Sequence, residues 1–258
     1  MGRIVVLDQN MINMIAAGEV IERPASVVKE LTENSIDAGA TQITIAIEDG
    51  GRKLISITDN GIGMDAEDLA RAFEQHSTSK IRTSADLAGI STLGFRGEAL
   101  ASIAAIAQVR AVSRTKDSPG ANSIEIDCGE KGPVSPCSGD YGTTIQVRDI
   151  FYKLPVRRKF LRTANTEMGH ITEQFTRIAL SSCPNEADSS EGGLDLTLIR
   201  NGKELHRLSA GQGLLERAST LFPMLSGNPS NDFIQAKTSE KGLQIHALLG
   251  KPVISRTS

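Results

Sequence analysis

The sequence predicts an α+β fold whose sheet is largely antiparallel. Residues Thr41–Glu48 alternate isoleucines with other residues, and Leu54–Asp59 follows after a short glycine-containing turn, so the two segments are expected to pair as a hairpin. Asn201-Gly202 is a strong two-residue turn signal and predicts a second hairpin. Residues 25–38 and Thr166–Leu180 carry apolar side chains at helical spacing. The chain therefore combines antiparallel hairpins with helices, which is typical of an α+β fold.

The remaining elements of the first unit follow in order. Pro24 suits the first turn of the helix over residues 25–38. Helices are predicted over Asp65–Gln75 and over the alanine-rich stretch Gly97–Gln108, and a strand over Thr143–Arg148. Residues 181–193 are rich in polar residues and glycine and are expected to form a surface loop.

A domain boundary is predicted near Ser209. The first domain would span residues 1–208, and residues 209–258 would form an incomplete second domain. This second unit is predicted to contain a helix at Leu214–Leu221 and strands around Phe233 and over Gln244–Leu249. About fifty residues is small for an independent domain.

Composition restricts the class of protein. Hydrophobic residues make up 39% and charged residues 23%, which excludes disordered and collagen-like chains. No apolar run is long enough for a signal peptide or a membrane span, so we expect a cytoplasmic protein without a membrane partner. The three cysteines lack C-x-x-C spacing, which argues against a zinc site or a disulfide framework. With a net charge of -3, contact with nucleic acid would require a local basic patch.

Three oxygen-bearing side chains lie along one edge of the predicted helix over residues 25–38. Glu30, Asn34 and Asp37 fall within roughly 60° of arc, beside its apolar stripe. An asparagine carbonyl is a suitable Mg²⁺ ligand beside phosphates and water, and a carboxylate one turn away can activate a water. Taken alone, the same pattern also fits a solvated helix face.

The segment Asp59-Asn60-Gly61-Ile62-Gly63-Met64 ends the first hairpin. Its glycine spacing resembles a dinucleotide-binding fingerprint, but the preceding strand lies in a hairpin and Asp59 would repel a pyrophosphate. A carboxylate requires hydrogen-bond donors, and the exocyclic amine of adenine is one. A plain Asp-Asn-Gly turn is the other reading of this segment.

The chain contains no P-loop motif, so the phosphate-binding candidates are two other loops. The loop from Leu93 to Glu98 precedes the alanine-rich helix, whose first N–H groups could receive phosphates. Thr78, Ser79 and Lys80 supply two hydroxyls and a cation upstream, and Thr143 opens a strand. Taken alone, the first loop also fits a simple helix entry, and the second also fits a polar surface.

In this order the motifs resemble the superfamily of DNA gyrase, the heat-shock chaperone of ninety kilodaltons, histidine kinases and MutL. Within it, the sequence is similar to the MutL family of DNA mismatch repair proteins. The resemblance covers most of residues 12–165 and is carried by the stretches IAAGEVIERPASVVKELTENSIDAGAT, DNGIGM, HSTSK, LGFRGEALASIA, GTTIQVRDIFY and PVRRKFLR. It implies a two-layer α/β sandwich with a mixed sheet, followed by the start of a domain of the ribosomal S5 type.

The resemblance also implies roles for individual residues in binding ATP and Mg²⁺. Glu30 would be the general base, Asn34 the Mg²⁺ ligand, and Asp59 the adenine anchor. The other implied cofactor-binding residues are Asp37, Gly63, Met64, Thr78, Ser79, Lys80, Leu93, Gly94, Phe95, Arg96, Gly97, Glu98 and Thr143. Of these, Thr78 to Lys80 would begin the ATP lid, and Gly94 to Gly97 would wrap the phosphates.

Partners follow from the same resemblance. The family implies a homodimer formed on ATP binding, double-stranded or mismatched DNA, and a mismatch-recognition protein of the MutS type. A basic cluster, Arg157, Arg158, Lys159 and Arg162, is our candidate DNA contact, and Lys153 adds charge where the family usually has asparagine. A solvated face or pairing within the chain explains the cluster equally.

Two departures leave an alternative function open. Residues 209–258 match only the start of the second domain, so the lysine with which that domain reaches the terminal phosphate in the family would lie beyond Ser258. The chain could therefore be a non-hydrolysing ATP-binding switch or a DNA-binding fragment. A histidine kinase is a poor alternative, because the first histidine, His76, already lies within the candidate pocket.

Overall fold

The structure is a computed structural model of the chain. It describes residue 6 and residues 8–80, 92–94, 97–183, 192–222, 232–240 and 243–252.

In the described part of the chain, nine strands form one sheet with the order β5-β4-β3-β7-β2-β1-β8-β9, and β6 pairs with β4. Only β1 and β8 pair in parallel among these neighbours. This confirms a mixed, largely antiparallel sheet. The strands are β1 (Gln42–Glu48), β2 (Leu54–Asp59), β3 (Gln108–Arg114), β4 (Ala121–Asp127), β5 (Glu130–Lys131), β6 (Ser135–Cys137), β7 (Gly142–Arg148), β8 (Asp195–Arg200) and β9 (Lys203–Leu208).

Helices pack on this sheet, and α2, α3, α4 and α7 contact its strands directly. The described helices are α1 (Gln9–Val20), α2 (Pro24–Asp37), α3 (Ala66–Arg71), α4 (Ala99–Ile106), α5 (Pro155–Phe160), α6 (Ala164–Ser181) and α7 (Leu214–Leu221). Near the end of the chain, β10 (Phe233–Glu240) and β11 (Leu243–Gly250) pair in an antiparallel ladder of their own. None of the described helices is long and apolar enough to cross a membrane.

The core lies between the sheet and helices α2, α4 and α6. Because side chains alternate along a strand, cross-strand neighbours form rows on the covered face. Burying each such aliphatic side chain contributes about 1.5–3 kcal/mol. One row consists of Val109, Val147, Ile55 and Ile47, and the next consists of Ala111, Ile145, Ile57 and Ile45.

Most of the predicted elements are present. The helix over residues 25–38 is α2, and the predicted hairpins are β1–β2 and β8–β9. Asn201 and Gly202 both have positive φ, 48° and 77°, as their turn requires. The alanine-rich helix ends at Ile106, because Gln108 already pairs with Arg148 as the first residue of β3. Strands β3, β4, β5 and β6 and helices α1 and α5 were not predicted.

Helix α7 packs on α6 and β9 beyond the predicted boundary at Ser209. Its Arg217 is completely buried and donates to the backbone oxygens of Ala179, Leu194 and Ser209 at 2.8, 2.6 and 3.1 Å. Burial lowers the pKa of Arg217. This side chain therefore ties α7 to the first unit. The boundary and the S5-type assignment stay predictions.

Replacing Arg217 with leucine is expected to lower the free energy of unfolding by about 3 kcal/mol, since the buried carbonyls of Ala179 and Leu194 and the carbonyl of the exposed Ser209 would lose their donor. Urea denaturation measures the change. Arg177→Leu is the matched control, because Arg177 is exposed on α6 and its salt bridge within the described part of the chain is with Glu173, so its loss should change stability by under about 1 kcal/mol. Equal stability of the two variants would contradict the role of Arg217.

Candidate functional site

A row of polar side chains replaces the apolar rows at one end of the covered face. Ser113, Thr143 and Asp59 are successive cross-strand neighbours on β3, β7 and β2. Ser113 is completely buried and Asp59 is 8% exposed. Buried polar groups need hydrogen-bond partners. We therefore take this polar row, and not the apolar rows beside it, as the candidate binding site on the sheet.

The carboxylate of Asp59 is held by three donors. Its Oδ1 accepts the backbone N–H groups of Gly61 at 2.9 Å and Thr143 at 3.3 Å. Its Oδ2 accepts the hydroxyl of Ser35 on α2 at 2.8 Å. Because each carboxylate oxygen has two acceptor sites, Oδ1 is saturated and Oδ2 can accept one more hydrogen bond. An amine donor such as that of adenine fits this oxygen.

Glycines bring the backbone close together around this row. Gly63 has φ +70°, and a Cβ there would lie 2.1 Å from the carbonyl oxygen of Arg114 at the end of β3. Gly142 has φ +106°, and its Cβ would lie 2.0 Å from the oxygen of Asp59. Neither position accommodates a side chain. The next residue after Gly63, Met64, donates its N–H to Ser113 Oγ at 2.8 Å.

A cation lies between two of the predicted residues of α2. The Nζ of Lys80 donates to Asn34 Oδ1 at 2.9 Å and to Asp37 Oδ2 at 2.6 Å. The side chain of Asp37 is 6% exposed and that of Lys80 is 19% exposed. The side-chain oxygens of Asn34 and Asp37 therefore both point at one positive charge. Mg²⁺ also prefers carboxylate and amide oxygens as ligands.

Asp37 also holds the predicted phosphate loop. It accepts the N–H of Leu93 on Oδ1 at 2.9 Å and that of Gly94 on Oδ2 at 3.2 Å. The loop is therefore anchored to the end of α2. Phe95 and Arg96, which were predicted to belong to the same loop, lie outside the described residues.

The far end of this loop packs on the segment before Lys80. Gly97 has φ +65°, and a Cβ there would lie 2.6 Å from the oxygen of Ser77. Glu98 lies 3.5 Å from His76 Nδ1. Thr78 Oγ1 accepts the N–H of Lys80 at 3.1 Å, whereas Ser79 is exposed. The two predicted phosphate loops are therefore neighbours.

Glu30 lies apart from these contacts. Its side chain is 28% exposed and pairs with Lys29 at 3.1 Å, and Lys29 also reaches Glu33 at 3.0 Å. A cleft of about 370 Å³ beside it is lined in part by Arg23, Ser26 and His170. The structure therefore groups Asn34 and Asp37 with the loops, and leaves Glu30 one turn away on the same helix.

The predicted basic cluster divides into two parts. Arg157 is paired within the chain, since it donates to the backbone oxygens of Gly18 at 2.6 Å and Ile21 at 3.2 Å, at the end of α1. Arg158, Lys159 and Arg162 are exposed. Lys153 pairs with Asp127 at 3.3 Å. Among the described residues, Arg158, Lys159 and Arg162 are therefore the members of the cluster whose positive charges are exposed to solvent.

Sequence reasoning did not identify Ser35 or Ser113 as parts of the site, and it considered Gly142 only as the residue that opens a strand with Thr143. Ser35 follows Asn34 on α2, so an additional hydroxyl facing Asp59 could have been inferred from the helix geometry. Ser113 could not be placed, because β3 was not predicted. Gly142 gave no signal other than its position before Thr143.

A family model described as histidine kinase-, DNA gyrase B- and HSP90-like ATPase matches residues 21–135. The chain is 50% identical over 211 residues to the DNA mismatch repair protein MutL of Pelobacter propionicus, a match covering 82% of this chain and 35% of that protein. It is 42% identical over 252 residues to MutL of Xanthomonas axonopodis pv. citri, covering 98% and 39%. The chain thus spans under two fifths of the length of these relatives.

Solved structures give the same likeness. The Aquifex aeolicus MutL ATPase domain complexed with ADP aligns with a TM-score of 0.65 and 29% identity, over 85% of this chain and 73% of that one. An N-terminal domain of a DNA repair protein aligns with a TM-score of 0.67 and 28% identity, over 88% and 64%. Both likenesses extend over most of the chain.

Proposed function

Because this chain belongs to the MutL family of histidine kinase-, DNA gyrase B- and HSP90-like ATPases, we propose that it binds and slowly hydrolyses Mg-ATP in DNA mismatch repair. ATP-driven dimerisation would couple mismatch recognition to downstream repair factors. The observation that carries the proposal is the buried carboxylate of Asp59, which keeps one acceptor site beside glycines that admit no side chain.

The adenine end of the proposed pocket is the polar row. Asp59 Oδ2 accepts the exocyclic amine, and the backbone of Gly63 and Met64 lies beside the base. Thr143 supports the carboxylate through its N–H and presents its hydroxyl on the same face of the sheet. A site built to accept a hydrogen bond rejects a base that lacks the matching donor.

The phosphate end is formed by Asn34, Lys80 and the loop anchored on Asp37. Asn34 would hold Mg²⁺ through the oxygen that now accepts from Lys80, and the lysine would then be released toward a terminal phosphate. Mg²⁺ neutralises phosphate charge when it is bound. The loop from Gly94 to Gly97 is proposed to wrap the phosphates at the start of α4, and the N–H groups of Leu93 and Gly94, which donate to Asp37, would anchor it there.

Glu30 is the proposed general base. Its carboxylate would orient a water and take up the proton that the water releases as it attacks the terminal phosphorus. In the structure, this carboxylate is paired with Lys29, and that pairing also supports the alternative of an ATP-binding switch with little turnover.

Steady-state phosphate release tests hydrolysis directly. We expect slow, Mg²⁺-dependent release from ATP, with a rate per chain that rises with protein concentration if dimerisation is required. Tight ATP binding without any release would favour the switch, and an absence of both would contradict the proposal.

The dimer is proposed to form through the N-terminal helix. Three apolar side chains of α1, those of Met11, Ile12 and Ile15, are 47%, 42% and 54% exposed, which supports a partner on this face. A MutS-type protein is the proposed source of the mismatch signal, and the cytoplasm is the proposed compartment. These assignments rest on the family.

DNA binding is proposed for the exposed basic residues around α5. We expect that replacing both Arg158 and Lys159 with alanine weakens binding of double-stranded DNA and lowers the slope of log affinity against log salt by about 2, since each lysine or arginine on a phosphate releases about one counterion. Titrations of labelled duplex at several salt concentrations measure the slope.

Lys203→Ala is the control for this experiment, because Lys203 is also exposed but lies on β9. It should leave the slope unchanged. An unchanged slope in the Arg158 and Lys159 double variant would mean that this surface does not contact phosphates.

A further inference from the structure

Helix α5, which carries exposed basic residues, contains no buried residue. Its Val156 and Phe160 are 69% and 78% exposed, so packing of these two side chains does not hold the helix in place. Leu154 and Leu161, on either side of α5, pack against the core. A helix of six residues is too short to be stable alone in water. The direction in which α5 presents its basic side chains must therefore be fixed by contacts with other elements.

Arg157 joins α5 to the end of α1. Its guanidinium donates to the backbone oxygens of Gly18 at 2.6 Å and Ile21 at 3.2 Å. Carbonyl groups in the last turn of a helix lack partners within that helix, and a cation there also interacts favourably with the helix dipole. Arg157 therefore caps α1 from a position 139 residues further along the chain than Gly18.

Gly18 makes this close approach possible. It lies within α1, where glycine is less favourable than alanine, and it is not among the glycines with positive φ. Its backbone conformation therefore does not require glycine. A Cβ at Gly18 would lie 2.0 Å from Nη2 of Arg157 and 2.1 Å from its Cζ. The guanidinium of Arg157 thus occupies the place that a side chain at Gly18 would take.

The guanidinium also lies over the ring of Phe151, with 5.7 Å between Arg157 Cζ and the ring centroid. Phe151 is 2% exposed and has φ +63°, which is rare for a bulky residue. Its N–H donates to the oxygen of Ile106, the last residue of α4, at 2.8 Å. A strained backbone of this kind persists only where its surroundings hold it. Phe151 therefore gives Arg157 a fixed surface beside the end of α1.

We propose that Arg157 is a positioning residue for DNA binding, which fixes α5 against α1 so that Arg158 and Lys159 face the DNA. This inference rests on the proposed DNA contact of these two residues. The guanidinium of Arg157 faces carbonyl groups of the chain, so Arg157 acts through its neighbours on α5. The DNA surface therefore depends on α1, a helix that contains no lysine or arginine.

Gly18→Ala tests this contact without changing any charge. The new methyl group would take the place of the guanidinium, which can move away because it is the far end of a flexible side chain. We expect the affinity for double-stranded DNA to fall about tenfold, since α5 would lose two charge-assisted hydrogen bonds that pre-organise it. If Arg157 were itself a phosphate contact, its release from α1 would leave DNA affinity unchanged or raise it.

Gly169→Ala is the matched control. Gly169 is also a helical glycine, on α6, but a Cβ there would meet nothing within 4 Å, so DNA affinity should not change. Arg157→Lys is a second test, because lysine keeps the charge but replaces the planar fork with a single amine, and we expect weaker DNA binding here too. In an Arg157→Ala background, Gly18→Ala should weaken DNA binding no further.

Titration of a labelled DNA duplex measures the affinity of each variant, and thermal denaturation confirms folding. A loss of affinity in Gly18→Ala that vanishes in the Arg157→Ala background supports the inference. Unchanged or stronger DNA binding by Gly18→Ala and Arg157→Lys, or an undiminished loss in the Arg157→Ala background, overturns it. The proposed DNA contact then stands if the Arg158 and Lys159 double variant still lowers the salt slope. An unchanged slope in that double variant, or failure of the wild-type chain to bind DNA, overturns both.

Discussion

Replacing Glu30 with alanine is expected to reduce ATP turnover by at least about a hundredfold while leaving ATP affinity within about threefold of wild type, because a positioned general base typically contributes 10²–10⁴ to rate and little to binding. Among the described residues, the side chain of Glu30 shares no hydrogen bond with the side chains of Asn34, Asp37 or Lys80, so the proposed phosphate site should keep its geometry. Single-turnover hydrolysis and equilibrium binding of a non-hydrolysable analogue measure the two effects separately.

Glu33→Ala is the matched control for this variant. Glu33 lies on the same helix and shares the partner Lys29, at 3.0 Å, with Glu30. Glu33→Ala should therefore reproduce any loss of turnover that comes only from removing a carboxylate partner of Lys29. We expect it to keep turnover within a few-fold of wild type. Equal turnover in the two variants would contradict the role of Glu30.

Replacing Asp59 with asparagine is expected to weaken ATP binding by at least about a hundredfold. The new side-chain amide would present an N–H donor to the exocyclic amine of adenine, which is itself a donor. The N–H groups of Gly61 and Thr143 require an oxygen at the Oδ1 position, so the amide nitrogen must replace Oδ2. That nitrogen can still donate to Ser35. The variant is therefore expected to fold and to lose the base.

Equilibrium binding of an ATP analogue measures the loss, and thermal denaturation confirms folding. Asp65→Asn is the control, because Asp65 caps α3 by accepting the N–H of Asp68, and asparagine caps a helix equally well. Asp59→Asn should lose ATP binding, whereas Glu30→Ala should keep ATP binding and lose turnover. Equal loss of binding in both variants would contradict the separate roles given to the two carboxylates.

The elements that were predicted correctly are those with local signals. Pro24 and the apolar stripe define α2, and the alternation before and after the first turn defines β1 and β2. The placement of Asn34 and Asp59 follows from these elements. Their periodicity is set within one helix or one hairpin, so it can be read without knowing the rest of the chain.

The parts that were missed depend on contacts between distant segments. The hydrogen bonds that hold the carboxylate of Asp59 come from Ser35 and Thr143, which are 24 and 84 residues away in sequence. Thr143 was predicted to bind the cofactor, but its contact with Asp59 was not predicted. Arg157 bonds the end of α1 across 136 and 139 residues, and nothing in the run of basic residues separates it from Arg158. Side chains that look equivalent in sequence therefore serve different purposes once the sheet brings their partners together.

The central claim is that the row containing Asp59 forms an adenine-selective pocket for Mg-ATP. Equilibrium binding of a non-hydrolysable ATP analogue in the presence of Mg²⁺, with GTP as the competitor, tests it most directly. We predict saturable binding that excess ATP displaces and equimolar GTP does not. Absence of binding, or displacement by GTP as effective as that by ATP, would contradict the claim.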